Sequence, residues 1–115
     1  MLLYSKVKYR DALDIHYEDL VRGRAGGLSQ IINGREIDVV IDTALIQVKR
    51  TYSAIEKPNN FLDMATRNQI KAAIENAVEQ GKRAEYLFEY GFSSKVSKYI
   101  EDKGGIVKVG LVDDV

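Results

Sequence analysis

The sequence predicts an α/β fold with a mixed β-sheet flanked by helices, and three observations carry that expectation. Two runs rich in β-branched residues, 35–41 and 44–50, are separated only by Asp42-Thr43, which suits a tight antiparallel reversal. A long stretch with helical apolar spacing, residues 61–80, then leads to a largely apolar run at 84–90. A second helical stretch leads to a last run at 106–112. Strands joined through a helix pair in parallel by a right-handed crossover, so a sheet that also holds a hairpin is mixed.

Each element has its own signal. From Lys8 to about Arg22, Tyr9, Leu13, Tyr17, Leu20 and Val21 repeat at the spacing of an amphipathic helix. Arg22-Gly23-Arg24-Ala25-Gly26-Gly27 ends it, because glycine supplies the left-handed conformation of a helix C-terminus. No Lys-Ser or Lys-Thr follows, so this is a cap rather than a nucleotide-binding loop, although its arginines suit contact with a nucleic-acid backbone. Residues 28–32 form a short strand, and Asn33-Gly34 is a strong hairpin signal joining it to 35–41. Pro58-Asn59-Asn60 marks the start of the long helix, whose apolar positions are Leu62, Ala65, Ile70, Ala73, Ile74, Ala77 and Val78, and Gly81 stops it. Ser93 or Ser94 caps a helix running to about Asp102, with Val96, Tyr99 and Ile100 inward and Gly104-Gly105 at its end. The element order is helix, three antiparallel strands, helix, strand, helix, strand (αβββαβαβ). The aromatic residues fit a core better than a base-stacking platform.

Chemistry concentrates in the central hairpin. With Asp42-Thr43 as the loop, Ile41 faces Ala44, Asp38 faces Gln47 and Glu36 faces Lys49. Alternation then puts Ile37, Val39, Ile41, Ala44, Ile46 and Val48 on an apolar core face. Glu36, Asp38, Val40, Leu45, Gln47 and Lys49 share the opposite, non-core face. Glu36 opposite Lys49 is in one reading an ordinary cross-strand ion pair of a solvated sheet. Asp38 and Gln47 beside it, flanked by Val40 and Leu45, suggest instead a half-covered site. An Asp, a second oxygen ligand and a Lys suit metal-assisted phosphodiester hydrolysis: hard oxygens hold Mg²⁺, which polarises the phosphoryl oxygen and acidifies water, while the Lys orients that water or offsets negative charge.

Asp38 followed on the next strand by Gln47-Val48-Lys49 resembles the PD-(D/E)XK nuclease superfamily, whose motif is an Asp and then Asp or Glu, any residue, and Lys. Ile37 stands where that motif has Pro, and Gln47 where it has its second acid; a neutral amide oxygen is a weaker Mg²⁺ ligand than a carboxylate. The αβββαβαβ order is also that of the superfamily's restriction-endonuclease-like core. The resemblance implies a metal role for Glu18, since many members carry a Glu on the first helix that reaches the metal; Asp19, about a hundred degrees further round, is the weaker candidate. It implies Mg²⁺ or another divalent cation held by Asp38, Gln47 and Glu18, with Lys49 positioning the attacking hydroxide. It also implies a substrate role for Gln69, on a helix that approaches the active site in such proteins.

Within the superfamily, residues 34–50 look most like the C-terminal nuclease toxin domains of bacterial contact-dependent growth inhibition proteins. Such a domain is cut from a large secreted protein, acts in the cytoplasm of a neighbouring cell on DNA or tRNA, and is blocked by a cognate immunity protein. Met1 is then not expected to be a native start. Two other readings stay open: a housekeeping DNA nuclease of the Holliday junction resolvase type, and, because of Gln47, a catalytically silent nucleic-acid or protein-binding module.

Composition sets bounds on all of these. At 115 residues the chain is expected to be one domain, 1–115. The absence of Cys excludes disulfides, thiol nucleophiles and Cys-based zinc sites, and the lone His16 excludes a multi-histidine cage and is not a favoured general base. Seventeen basic against seventeen acidic residues leave no global basic field, so phosphate contacts must be local. The stretch 49–71, with Lys49, Arg50, Lys57, Arg67 and Lys71 against Glu56 and Asp63, is the candidate phosphate-facing side. Arg24, Arg50, Arg67, Gln69 and Lys71 are accordingly the candidate substrate contacts. No apolar run approaches the roughly 20 residues of a membrane span, no signal-peptide pattern opens the chain, and a soluble protein is expected.

Overall fold

The computed structural model describes residues 17–110. Helix α1 covers 17–25. It is followed by β1 (Leu28–Ile32), β2 (Arg35–Val40), β3 (Ala44–Lys49), α2 (Ser53–Glu56), α3 (Pro58–Phe61), α4 (Met64–Glu79), β4 (Arg83–Phe88), α5 (Ser94–Asp102) and β5 (Ile106–Val109). The strands form one sheet in the order β1-β2-β3-β4-β5. The first three are antiparallel, and β4 lies parallel to both β3 and β5, so the sheet is mixed as expected. The expected helix stripe at Tyr9 and Leu13, and His16, lie outside the described residues, as do residues 111–112 of the last expected strand.

Helices cover both faces of the sheet. On one, Tyr17 and Val21 of α1 pack against Val39, Ala44, Ile46, Val48 and Leu87. On the other, Ile70, Ala73, Ile74 and Ala77 of α4 and Val96 and Ile100 of α5 pack against Leu45, Ala84, Tyr86 and Phe88. The second face was expected to be non-core, yet Leu45 is 2% exposed there. The crossover helices must lie on some face of the sheet, and α4 and α5 bury this one, leaving β3 and β4 with the near-continuous burial of strands covered on both sides.

Several boundaries differ from the sequence reading for local reasons. The stretch before the long helix is broken at Leu62 (ψ 45°), and α4 starts afresh because Asp63 accepts the Thr66 N–H at 2.8 Å as an N-cap. Pro58 instead opens the one-turn α3, and the one-turn α2 was not expected. On α4 the buried apolar set is Ile70, Ala73, Ile74 and Ala77, whereas Ala65 and Val78 are exposed; Val78 lies about 90° from the centre of that stripe. Leu20 on α1 is also exposed. Asn76 is buried and takes the Asn33 side-chain N–H at 2.6 Å while donating to the Ile32 carbonyl at 3.3 Å, which ties α4 to the β1–β2 turn. That turn has positive φ at both Asn33 (52°) and Gly34 (79°), the conformation an Asn-Gly hairpin supplies at little strain.

α1 ends as expected, with Gly26 at φ 78° and its N–H on the Arg22 carbonyl at 2.8 Å. Gly27 serves a different need. A Cβ there would collide with the Val40 carbonyl oxygen and lie 2.7 Å from Ile41 Cγ2, so only glycine lets the chain pass this close to β2.

Candidate active site

The hairpin keeps the expected register near its turn: Val39 pairs with Ile46, Val40 with Leu45, and the Ile41 N–H reaches the Ala44 carbonyl at 3.0 Å. Beyond Val39 the alternation fails. Against β1, Leu28 pairs with Val40 but Gln30 with Ile37, so Asp38 and Val39 together oppose Ser29. This is a β-bulge, one extra residue on β2, and such an insertion re-aims the side chains around it. Ile37 therefore leaves the core face it was expected to share with Val39 and packs on the α4 side with Leu45.

At the bulge, side chains take over the ladder. The Asp38 carboxylate accepts the Val48 N–H at 2.8 Å. The Gln47 amide oxygen accepts the Asp38 N–H at 3.3 Å, and its Nε2 donates to the Glu36 carbonyl at 3.3 Å. Gln47 thus substitutes for a stretch of strand pairing, a task to which an amide brings both a donor and an acceptor and a carboxylate only acceptors. This structural use was not expected from the sequence.

A cleft of about 340 Å³ opens at this point, lined by Glu36, Asp38, Gln47, Lys49, Gln69 and Tyr86 among others. Lys49 also lines an adjoining cleft of about 260 Å³ together with Glu18, Arg50 and Thr51. The expected residues thus fall around two clefts that share Lys49. Burial pushes the Asp38 carboxyl above its ordinary value, with Glu36 adding to the rise and the Val48 N–H, Lys49 and Arg22 opposing it. Burial, then the Asp38 charge, raises Glu18, against the pull of Arg22. Burial and Asp38 push the Tyr86 hydroxyl up as well.

Arg22, expected from the sequence only as a nucleic-acid backbone contact, instead organises the acidic groups of the site. Its guanidinium pairs with Glu18 at 2.9 Å and Asp19 at 2.7 Å and donates from Nε to the Asp38 carbonyl at 3.2 Å. The i, i+3 and i, i+4 spacing of Asp19, Glu18 and Arg22 was the available signal. Arg50 pairs with Glu89 at 2.8 Å, so its charge is already engaged within the fold. Arg24 stands at the end of α1, and Arg67, Gln69 and Lys71 are exposed on α4, Gln69 on the flank opposite the other two; of these four only Gln69 lines either cleft. A second unexpected charge is Glu85, 1% exposed on β4 and paired with Arg83 at 2.9 Å and Lys108 at 3.4 Å.

A family model described as restriction endonuclease fold toxin 3 matches residues 5–110. The chain belongs to this family of restriction endonuclease fold toxins. Membership agrees with the mixed five-stranded sheet flanked by helices, and it supports the PD-(D/E)XK toxin nuclease assignment. A nuclease toxin in turn implies a nucleic-acid substrate. No curated protein and no solved structure matches the chain significantly. Among the described residues no helix is long and apolar enough to cross a membrane.

Restriction endonuclease-like folds usually use divalent metals, so the donor set at the clefts bears on this family directly. Among the described residues no group of three Asp, Glu, His or Cys side chains is close enough to hold a metal ion. Mg²⁺ asks for less, usually one or two carboxylates with waters and substrate phosphates completing the shell. Asp38 and Glu18 are the carboxylates available for that: burial raises both and the Asp38 charge raises Glu18 further, a penalty that a nearby cation would relieve.

Proposed function

We propose that this domain, residues 1–115 acting as one unit, is a divalent-metal-dependent endonuclease that hydrolyses phosphodiester bonds of DNA or tRNA. The observation that supports this best is the convergence of Asp38, Gln47 and Lys49 on one cleft, with Glu18 electrostatically coupled to Asp38 from α1. Asp38 and Glu18 would hold the ion, and Gln47 would contribute the acceptor site its amide oxygen retains beside the Asp38 N–H. When bound, Mg²⁺ or a similar cation supplies Lewis-acid stabilisation of the phosphoryl oxygens and acidifies water.

The chain's own residues do the remainder. Lys49, shared by both clefts, orients the attacking water and offsets charge developing on the phosphoryl group. Arg22 holds Glu18 in place and ties it to the backbone of Asp38. Gln69, which lines the larger cleft, would contact a flanking phosphate, and Arg50 would do so only by exchanging its Glu89 partner. Arg24, Arg67 and Lys71 would extend that contact outside the clefts.

The biological setting that fits is interbacterial competition: an effector domain released from a larger secreted protein, active in the cytoplasm of the target cell and neutralised by a cognate immunity protein. A binding module without catalysis is the second reading, favoured by the engagement of both ends of the Gln47 amide with β2. Incubation with plasmid DNA and with total tRNA, in Mg²⁺ and in chelator, separates the two. Fragments in Mg²⁺ alone support the nuclease; bound but intact nucleic acid in both conditions supports the module.

A further inference from the structure

The sheet leaves the active-site region through Lys49 and Arg50 and turns immediately into Tyr52. Tyr52 is 57% exposed, and its ring lies parallel to that of Tyr90, with centroids 4.1 Å apart and planes 1° from parallel. A stacked ring pair draws most of its energy from the area that both rings bury. Here one ring of the pair remains largely in solvent. Its backbone is nonetheless fixed, since the Tyr52 carbonyl accepts N–H bonds from Ile55 and Glu56 at 2.9 Å each. Arg50 adds a cation over the Tyr90 ring, 5.2 Å from its centroid. Tyr52 is three residues from Lys49, so the two α-carbons are within about 11 Å of each other.

We infer that the exposed face of Tyr52 is a stacking platform for an unpaired nucleobase, and that the substrate of the adjoining cleft is a single-stranded or looped segment rather than intact duplex. This rests on the nuclease reading for its place in catalysis, but the stacking itself does not need cleavage. A base inside a duplex has both faces covered by its neighbours and offers Tyr52 nothing. An unpaired base offers a free π-face, whatever its identity and whether its sugar is ribose or deoxyribose. Tyr90 holds the platform ring in place from beneath, and Arg50, paired with Glu89, packs against Tyr90 in turn.

The test is binding in chelator, using short single-stranded RNA and DNA oligonucleotides that carry a fluorescent adenine analogue, and the corresponding duplexes. For the native protein, fluorescence is expected to be quenched by single strands and not by duplexes. Tyr52→Ala should weaken single-strand binding roughly 5- to 150-fold. Tyr52→Phe, which keeps the ring, should bind like the native protein, and unchanged melting of both variants shows that the fold is intact. Comparing the RNA and DNA arms identifies which single strand is preferred. Equal binding by Tyr52→Ala, absence of quenching, or an equal loss for duplex overturns the platform and leaves Tyr52 to a protein partner. Tyr52-dependent binding with no cleavage in Mg²⁺ would instead retain the platform and remove the nuclease.

Discussion

The Asp38 carboxylate accepts the backbone N–H of Val48 at 2.8 Å, replacing the carbonyl that a regular β-ladder would supply. One side chain therefore carries two tasks, closing the sheet at a bulge and supplying a buried acid to the cleft. Substitutions can separate them. Asp38→Asn keeps an oxygen for Val48 and should fold normally while losing cleavage. Asp38→Ala should lose cleavage and also leave the Val48 N–H unpaired, at a cost of about 1–3 kcal/mol. Denaturant melts with a parallel nuclease assay check this; equal stability of the two variants would show that the hydrogen bond carries no weight.

Because Asp38 and Glu18 have raised carboxyl pKa values, each binds protons more readily in the folded than in the unfolded chain. Stability from this source is fully present below the unfolded values, near 3.8 and 4.5, and is lost as pH rises through the higher folded ones. In chelator the protein should therefore gain stability as pH falls through the raised values of Asp38 and Glu18 toward the unfolded ones. Asp38→Asn, which removes this buried charge, should melt above the native protein near neutral pH, by a margin that shrinks over the same range. A constant gap across the titration would contradict the assignment. Asp63 works in the opposite sense, its carboxyl being lowered by the Thr66 N–H, but its stabilisation is lost only at more acidic pH, as pH falls through its lowered value.

Gln47→Glu restores the acid of the family motif and so tests why an amide stands there. The variant loses the donor that reaches the Glu36 carbonyl and gains a second negative charge near Asp38. Without metal it should melt below the native protein, and added Mg²⁺ should raise its melting temperature more than the native one. If metal-free stability is unchanged, the bridging role of Gln47 is wrong.

Gly27→Ala should destabilise the domain by about 1–3 kcal/mol, since the new methyl group meets the Val40 carbonyl oxygen at the back of the bulged strand. Gly23→Ala is the matched control, because a Cβ at Gly23 meets nothing within 4 Å. Equal effects of the two in urea unfolding would remove the close approach as a constraint.

Much of this was legible in the sequence because local signals and the sheet agree there. Asp42-Thr43 sets the β2–β3 register through Val39, Asn33-Gly34 makes the β1–β2 turn, and the helix between β3 and β4 brings those strands together in parallel. The bulge at Asp38-Val39 was not legible, since it depends on the pairing with β1 and leaves no pattern in β2 itself. Ile37 was consequently assigned to the wrong face. The burial of Leu45 depends on which face α4 and α5 cover, a tertiary choice that strand alternation does not encode. Asp63 and Arg22 do leave local traces in the sequence, a cap three residues before Thr66 and a helical i, i+4 acid–base pair.

The most direct measurement is the cleavage rate of the native domain and of Lys49→Ala, side by side, on plasmid and on total tRNA in Mg²⁺, with circular dichroism to confirm that both are folded. The account expects the native protein to cut at least one of the two and Lys49→Ala to be slower by about 10²-fold or more. A folded Lys49→Ala that cuts at the native rate would contradict it.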